Sequence, residues 1–125
     1  RGVDWRTDTS DEELAQLYRS ARVVVVASEL EGFGLPVVEA LHRGAVVVSS
    51  QGGALPEAGG EFVEYFDPSS AAELADLLAR HLTDTAHHRS RRARAATFVG
   101  TPWSATARAV GADLATLAIR GPADA

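Results

Sequence analysis

The sequence predicts an α/β fold in which a doubly wound parallel sheet of about four strands is followed by C-terminal helices. Three observations carry this expectation. Two β-branched runs without polar alternation, Val23–Ala27 and Ala45–Ser49, read as strands covered on both faces. Amphipathic helical segments alternate with these runs, as crossover connections between parallel strands require. Serine and glycine punctuation falls where those helices should begin and end.

Taken in order, Ser10-Asp11-Glu12-Glu13 is a capping box, with Ser10 as N-cap and Glu13 answering it from N3. Leu14, Leu17 and Tyr18 then share one helical face, which predicts a helix over 11–20. After the first strand, Gly32 and Gly34 break the chain, and Pro36 suits the first position of a helix carrying Val37, Val38, Ala40 and Leu41. Gly44 closes that helix as its C′ residue. The second strand leads into a loop over 50–56 and a third strand over 62–66, stopped by Asp67-Pro68. Ser70 with Glu73 forms a second capping box, opening a helix to about Leu82 that buries Leu74, Leu77 and Leu78. A helix over about 85–98 follows. Thr101-Pro102 then serve as N-cap and N1 of a last helix to about Ile119, with Trp103 packing it onto the sheet and 121–125 as a frayed tail.

A chain of 125 residues with 46% hydrophobic and 23% charged residues fits one globular domain. It has no cysteine, which excludes disulfides and thiolate metal sites. Its longest apolar run, Val23–Ala27, is far short of the roughly 20 residues of a membrane span. The acidic, polar N-terminal stretch does not look like a secretory signal, so a cytoplasmic location is expected. The net charge of −5 is unevenly distributed: residues 1–76 hold five Arg against fourteen acids, and 77–125 seven Arg against three. Such an acidic front portion is a poor surface for nucleic acid, and no nucleic-acid partner is expected.

The stretch Glu31-Gly32-Phe33-Gly34-Leu35-Pro36-Val37-Val38-Glu39 lies where a doubly wound sheet binds its ligands, beyond the carboxyl end of a strand. Gly32 and Gly34 can adopt positive φ and let a ligand approach the backbone. Amides around Gly34, Leu35, Val37 and Val38 are expected to be free at the helix start and to attract a phosphate. Two carboxylates beside such a site make sense as acceptors for hydroxyls. Hydroxyls on both sides of a diphosphate describe a nucleotide sugar. The alternative is local: Glu39, in the first helical turn, favours the helix dipole and Glu31 caps the turn. On the residues alone the two readings stand level.

The same stretch resembles the E-x7-E signature of family 4 retaining glycosyltransferases, GT-B enzymes with nucleotide-sugar donors. The resemblance extends over residues 3–104 in order and spacing, through Ser10-Asp-Glu-Glu-Leu-Ala-Gln-Leu-Tyr18, the valine strand, Gly44-Ala-Val-Val-Val-Ser, Gly53-Ala-Leu-Pro-Glu57 and Phe66-Asp-Pro68. It implies that 1–104 is part of a Rossmann-like donor-binding domain, half of a GT-B architecture, with 105–125 as C-terminal helix and tail. It further implies that Glu31 contacts the transferred hexose and helps place its anomeric carbon. Gly32, Phe33, Gly34 and Leu35 would hold sugar and diphosphate, Glu39 the ribose hydroxyls, and Thr9 the base through its backbone. The acceptor would be a glycan, a lipid or a small molecule. No cofactor and no metal are implied, and the sequence has no Asp-x-Asp pair to clamp one. The family's acceptor-side domain and the cations that neutralise the diphosphate have no counterpart here, so the 125-residue chain alone is expected to be catalytically silent.

A non-catalytic nucleotide-binding or interaction module is the alternative function. Glycoside hydrolysis by Glu31 and Glu39 is disfavoured by the phosphate-binding turn between them. His42 and Arg43 read as solvent-facing, and Glu57 as a turn residue or a cleft residue. His87-His88, being adjacent on a helix, diverge and make a poor metal pair. The Arg89, Arg91, Arg92, Arg94 cluster reads as a solvated face, with binding to anionic lipid as the competing reading. An exposed sheet edge is expected, where self-association could occur.

Overall fold

The computed structural model describes residues 2–120. Helix α1 (Asp11–Ser20) precedes strand β1 (Val24–Val26), helix α2 (Leu35–His42) and strand β2 (Val47–Ser50). A short helix α3 (Leu55–Gly59) and a 3-10 turn (Gly60–Phe62) lead to strand β3 (Glu64–Phe66). Helices α4 (Ala71–Thr83), α5 (Thr85–Ala95) and α6 (Trp103–Arg120) complete the order. The strands form a parallel sheet in the order β1-β2-β3, in register Val25↔Val48 and Val48↔Glu64. This is the expected α/β architecture, with three strands rather than about four. Residues that could have supplied another do not join the ladder: Val3 and Trp5 lie exposed, and 55–62 turn into helix. The expected tail over 121–125 lies outside the described residues.

Alternation along the strands sorts the molecule into two sides. Val26, Val47 and Val63 face α2 and α3, where they pack with Val37, Ala40, Leu41 and Leu55. Leu41 and Leu55 are essentially inaccessible, and burying each contributes about 1.5–3 kcal/mol. Glu64 and Phe66 point the opposite way, toward α4. Helix α5 begins on that side, His88 lying against His81, and ends on the other, where Ala95 joins the core.

The helix ends follow the sequence signals closely. Ser10 and Glu13 form both bonds of their capping box. At the end of α2 the Gly44 and Ala45 amides donate to the carbonyls of Leu41 and Ala40 at 2.9 and 3.1 Å, a Schellman closure with Gly44 at φ 69°. Nothing surrounds a Cβ built there, so Gly44→Ala is expected to destabilise through backbone strain alone, by about 1 kcal/mol. Urea unfolding of the pair of proteins checks this, and an Asn at the same position should lose less.

Three expectations need correction. The Ser70 box is half formed: Ser70 caps the Glu73 amide, but the Glu73 carboxylate reaches back to the Asp67 amide at 2.8 Å. The Ser70 amide is already taken by the Asp67 carbonyl. Helix α5 ends at Ala95, short of 98. Trp103 does not pack α6 onto the sheet. It is 78% exposed, as Val110 and Leu114 are in large part, so the apolar face they share is left uncovered among the described residues.

Candidate functional site

Strand β1 delivers the chain at Ala27 to a loop that crosses the carboxyl end of β2, and the packing of that loop is backbone on backbone. Ser50, buried at the end of β2, donates its hydroxyl to the Ser28 carbonyl at 2.5 Å. A Cβ at Gly52 would stand 2.2 Å from the Glu29 carbonyl oxygen, and one at Gly53 2.3 Å from that of Glu31. The Ala54 amide donates to the Glu31 carbonyl at 2.9 Å. On the side-chain level, the Ser28 hydroxyl donates to Oε1 of the half-buried Glu31 at 2.9 Å. Glu31 is therefore fixed from behind by the end of β2, while its second oxygen has no hydrogen-bond partner among the described residues.

Gly34 starts the helix that follows. It is buried, left-handed at φ 79° and ψ 35°, and a Cβ on it would meet Ala58 Cβ at 2.9 Å. Helix α2 thus begins at Leu35, not Pro36. The Val37 and Val38 amides, expected to be free, both donate to the Gly34 carbonyl at 3.1 and 3.3 Å. The open amides lie earlier: among the described residues no backbone or side-chain group accepts from Gly32, Phe33, Gly34 or Leu35. Phe33 and Leu35 are 60% and 51% exposed, so the turn borders open solvent on either side of the buried Gly34. Gly32 is also exposed, does not adopt positive φ, and has nothing within 4 Å of a built Cβ. No contact within the chain requires glycine at that position.

Glu39 is the fifth residue of α2, in its second turn, and this weakens its reading as a dipole partner, which acts within the first turn. It lines a shallow recess of about 210 Å³ between α1 and α2 with Asp11, Leu14, Tyr18 and Arg43. Burial first, and then the Glu39 charge, hold the Tyr18 phenol above its ordinary pKa. Arg43 donates to the Glu39 carbonyl at 3.2 Å. Thr9, half-exposed, precedes the N-cap of α1, two residues before Asp11, and does not line the recess. A larger hollow of about 320 Å³ over Ser10, Glu12, Glu13, Gln16 and Arg19 lies on the outer face of α1, away from the glycine turn.

Of the remaining candidates, His42 is exposed, with its ring edge-on to Phe98, and Glu57 is exposed on α3. The arginine cluster is largely engaged: Arg91 with Glu64, Arg94 with Glu61, and Arg92 with the Arg19 carbonyl. That removes most of its support as a lipid-binding face. His87 and His88 do diverge, yet both converge on His81 from α4. The partners that position Glu31, Ser28 and Ser50 with Gly52 and Gly53, were not singled out from the sequence. The adjacent glycines after a buried strand are the signal that could have found them.

A parallel sheet with a glycine turn opening onto a helix start beyond the strand ends is the arrangement of a Rossmann-like α/β domain. The chain belongs to the group 1 glycosyl transferases: the family model described as "Glycosyl transferases group 1" matches residues 2–97. It is 46% identical over 76 residues to an MMP alpha-(1->4)-mannosyltransferase of Mycolicibacterium hassiacum, covering 58% of this chain and 18% of that protein. It is 39% identical over 115 residues to a D-inositol 3-phosphate glycosyltransferase of Frankia alni, covering 86% of this chain and 27% of the relative. Among solved structures it resembles sucrose-phosphate synthase from Thermosynechococcus elongatus, with a TM-score of 0.67 and 30% identity over 92% of this chain and 30% of that one. The resemblance seen in the sequence is borne out at the level of family and fold. The chain spans less than a third of each of these three proteins. No helix among the described residues is long and apolar enough to cross a membrane.

Proposed function

We propose that these residues are the donor-binding part of a retaining glycosyltransferase that moves a hexose from a nucleotide diphosphate sugar to an acceptor glycan, lipid or small molecule. The observation that supports it best is the row of unpartnered amides from Gly32 to Leu35, between a Glu31 held from behind by Ser28 and a Glu39 opening on a recess. In this reading the amides hold the sugar and the diphosphate. Glu31 accepts from hydroxyls of the hexose and places the anomeric carbon, Glu39 accepts from the ribose, and the backbone near Thr9 meets the base. The bond from the anomeric carbon to phosphate breaks, the acceptor oxygen bonds on the same face, and a phosphate oxygen of the leaving diphosphate takes the acceptor's proton. No metal or cofactor enters this scheme. The names of the relatives make mannose the first hexose to test.

The charges near the turn are mostly carboxylates, so cations for the diphosphate and the acceptor-side groups are expected from outside these residues, and the 125-residue chain by itself is expected to be inactive. Titration calorimetry of uridine, guanosine and adenosine diphosphates into the intact protein tests the donor site. Glu39→Ala is expected to weaken the preferred nucleotide by about tenfold, the loss of one or two hydrogen bonds to a charged acceptor. Undiminished affinity in that variant would count heavily against the reading.

A further inference from the structure

On the side of the sheet away from α2, Glu64 opens β3 and gathers three nitrogen groups. Its Oε2 lies 2.8 Å from His81 Nε2, 3.1 Å from His87 Nε2 and 3.3 Å from Arg91 Nε. The arrangement comes from one residue between two helices. Asp84 ends α4 by donating its amide to the Arg80 carbonyl and starts α5 by accepting from the His87 amide at 2.9 Å. The chain therefore reverses within a single residue, and His81 and His87, three residues to either side, turn toward the same strand. Arg22 fixes the end of α4 from the β1 side, donating to the His81 carbonyl at 2.7 and 3.0 Å.

The His81 side chain is completely buried, and neither ring nitrogen has a hydrogen-bond partner. Its 2.8 Å approach to Glu64 is close but out of line for an N–H···O bond. A buried imidazole so placed is unusual, since buried polar groups are nearly always paired. One donor atom each from Glu64, His81 and His87 all lie within 4.8 Å of one another, a separation that side-chain rotation can close to metal-ligand geometry. Two imidazoles and a carboxylate suit zinc and its neighbours in the transition series, not the oxygen-seeking calcium or magnesium.

We propose that Glu64, His81 and His87 bind a divalent transition-metal ion of the zinc class, tying β3 to the α4–α5 hairpin as a structural site on the opposite side of the sheet from the donor turn. The carboxylate has two oxygens, so one can ligate the ion while the other keeps Arg91. The fourth position of a tetrahedral ion is left to water.

The test uses the intact protein, stripped with a chelator and titrated with Zn²⁺ by calorimetry and with Co²⁺ by visible absorption. One equivalent of each is expected to bind, with an imidazole-type tetrahedral spectrum for cobalt and a rise in thermal midpoint with zinc. His87→Gln, at a half-buried position that tolerates the change, should weaken zinc at least about tenfold and abolish the thermal rise. His81→Leu, which fills the same space with hydrocarbon, should do the same, whereas His42→Gln should leave binding unchanged. Failure of the wild-type protein to take up either metal, or uptake unaffected by both substitutions in the cluster, overturns the assignment and leaves an ion-pair network only.

Discussion

Glu31→Gln is expected to lower kcat of the intact enzyme by about 10²–10³-fold, with a smaller rise in KM and a thermal stability close to wild type. The expectation follows from how Glu31 is held. Its carbonyl is taken by the Ala54 amide, its backbone rests on Gly53, and its Oε1 accepts from Ser28. Ser28 is in turn anchored by Ser50 at the end of β2. A glutamine amide oxygen can accept the Ser28 hydroxyl in the same place, so the fold loses little. What disappears is a full negative charge beside a carbon that becomes oxocarbenium-like as the bond to phosphate breaks. An effect larger in the transition state than in the bound donor falls mainly on kcat, whereas Glu39→Ala, acting on the bound nucleotide in both states, falls on affinity. Steady-state kinetics with the preferred donor separate the two. A kcat within about threefold of wild type for Glu31→Gln would leave this carboxylate a loop-fixing group and no more.

Much of the scaffold behind this prediction is legible from short-range chemistry. β-branched runs without alternation mark the positions of β1 and β2, but only β2 is covered on both faces, since Val25 of β1 is 39% exposed. The Ser10 box and Gly44 each act through their own neighbours, so their sequence context suffices. Helix α3 was not legible, because five residues containing Pro56 and ending in Gly59 show no period. It forms because Leu55 is drawn into the core and Gly59 lets Val63 and Tyr65 approach where a Cβ would stand 2.5–2.6 Å from them. A Gly-x-Gly turn likewise does not announce which glycine needs positive φ, and here it is Gly34 alone. The Glu64 cluster is a longer-range case. His81 reads as one more position on an amphipathic helix, and only the parallel register of β3 brings an acid to it. The donor reading itself came from the family resemblance, since two acids around a glycine turn have a local explanation too.

Gly53→Ala is expected to destabilise the fold by on the order of 3 kcal/mol and to weaken donor binding at least about tenfold, whereas Gly32→Ala should do the second without the first. At Gly53 two costs combine. Its φ of 59° is strained for any L side chain, and the added carbon would sit 2.3 Å from the Glu31 carbonyl oxygen and 2.9 Å from its nitrogen. Backbone atoms cannot rotate aside as a side chain can, so the whole loop over 28–34 has to lift off the end of β2. That movement breaks the Ala54 bond to Glu31 and turns the carboxylate away from the free amides. Gly32 is the opposite case: an alanine there meets nothing in the chain and needs no unusual φ, so urea unfolding should find it within about 0.5 kcal/mol of wild type. If a diphosphate sugar lies against the amides of this turn, the new methyl occupies its place, and calorimetry with the preferred nucleotide sugar should show at least about tenfold weaker binding. Equal donor affinity in Gly32→Ala and wild type would mean that the turn serves the loop alone.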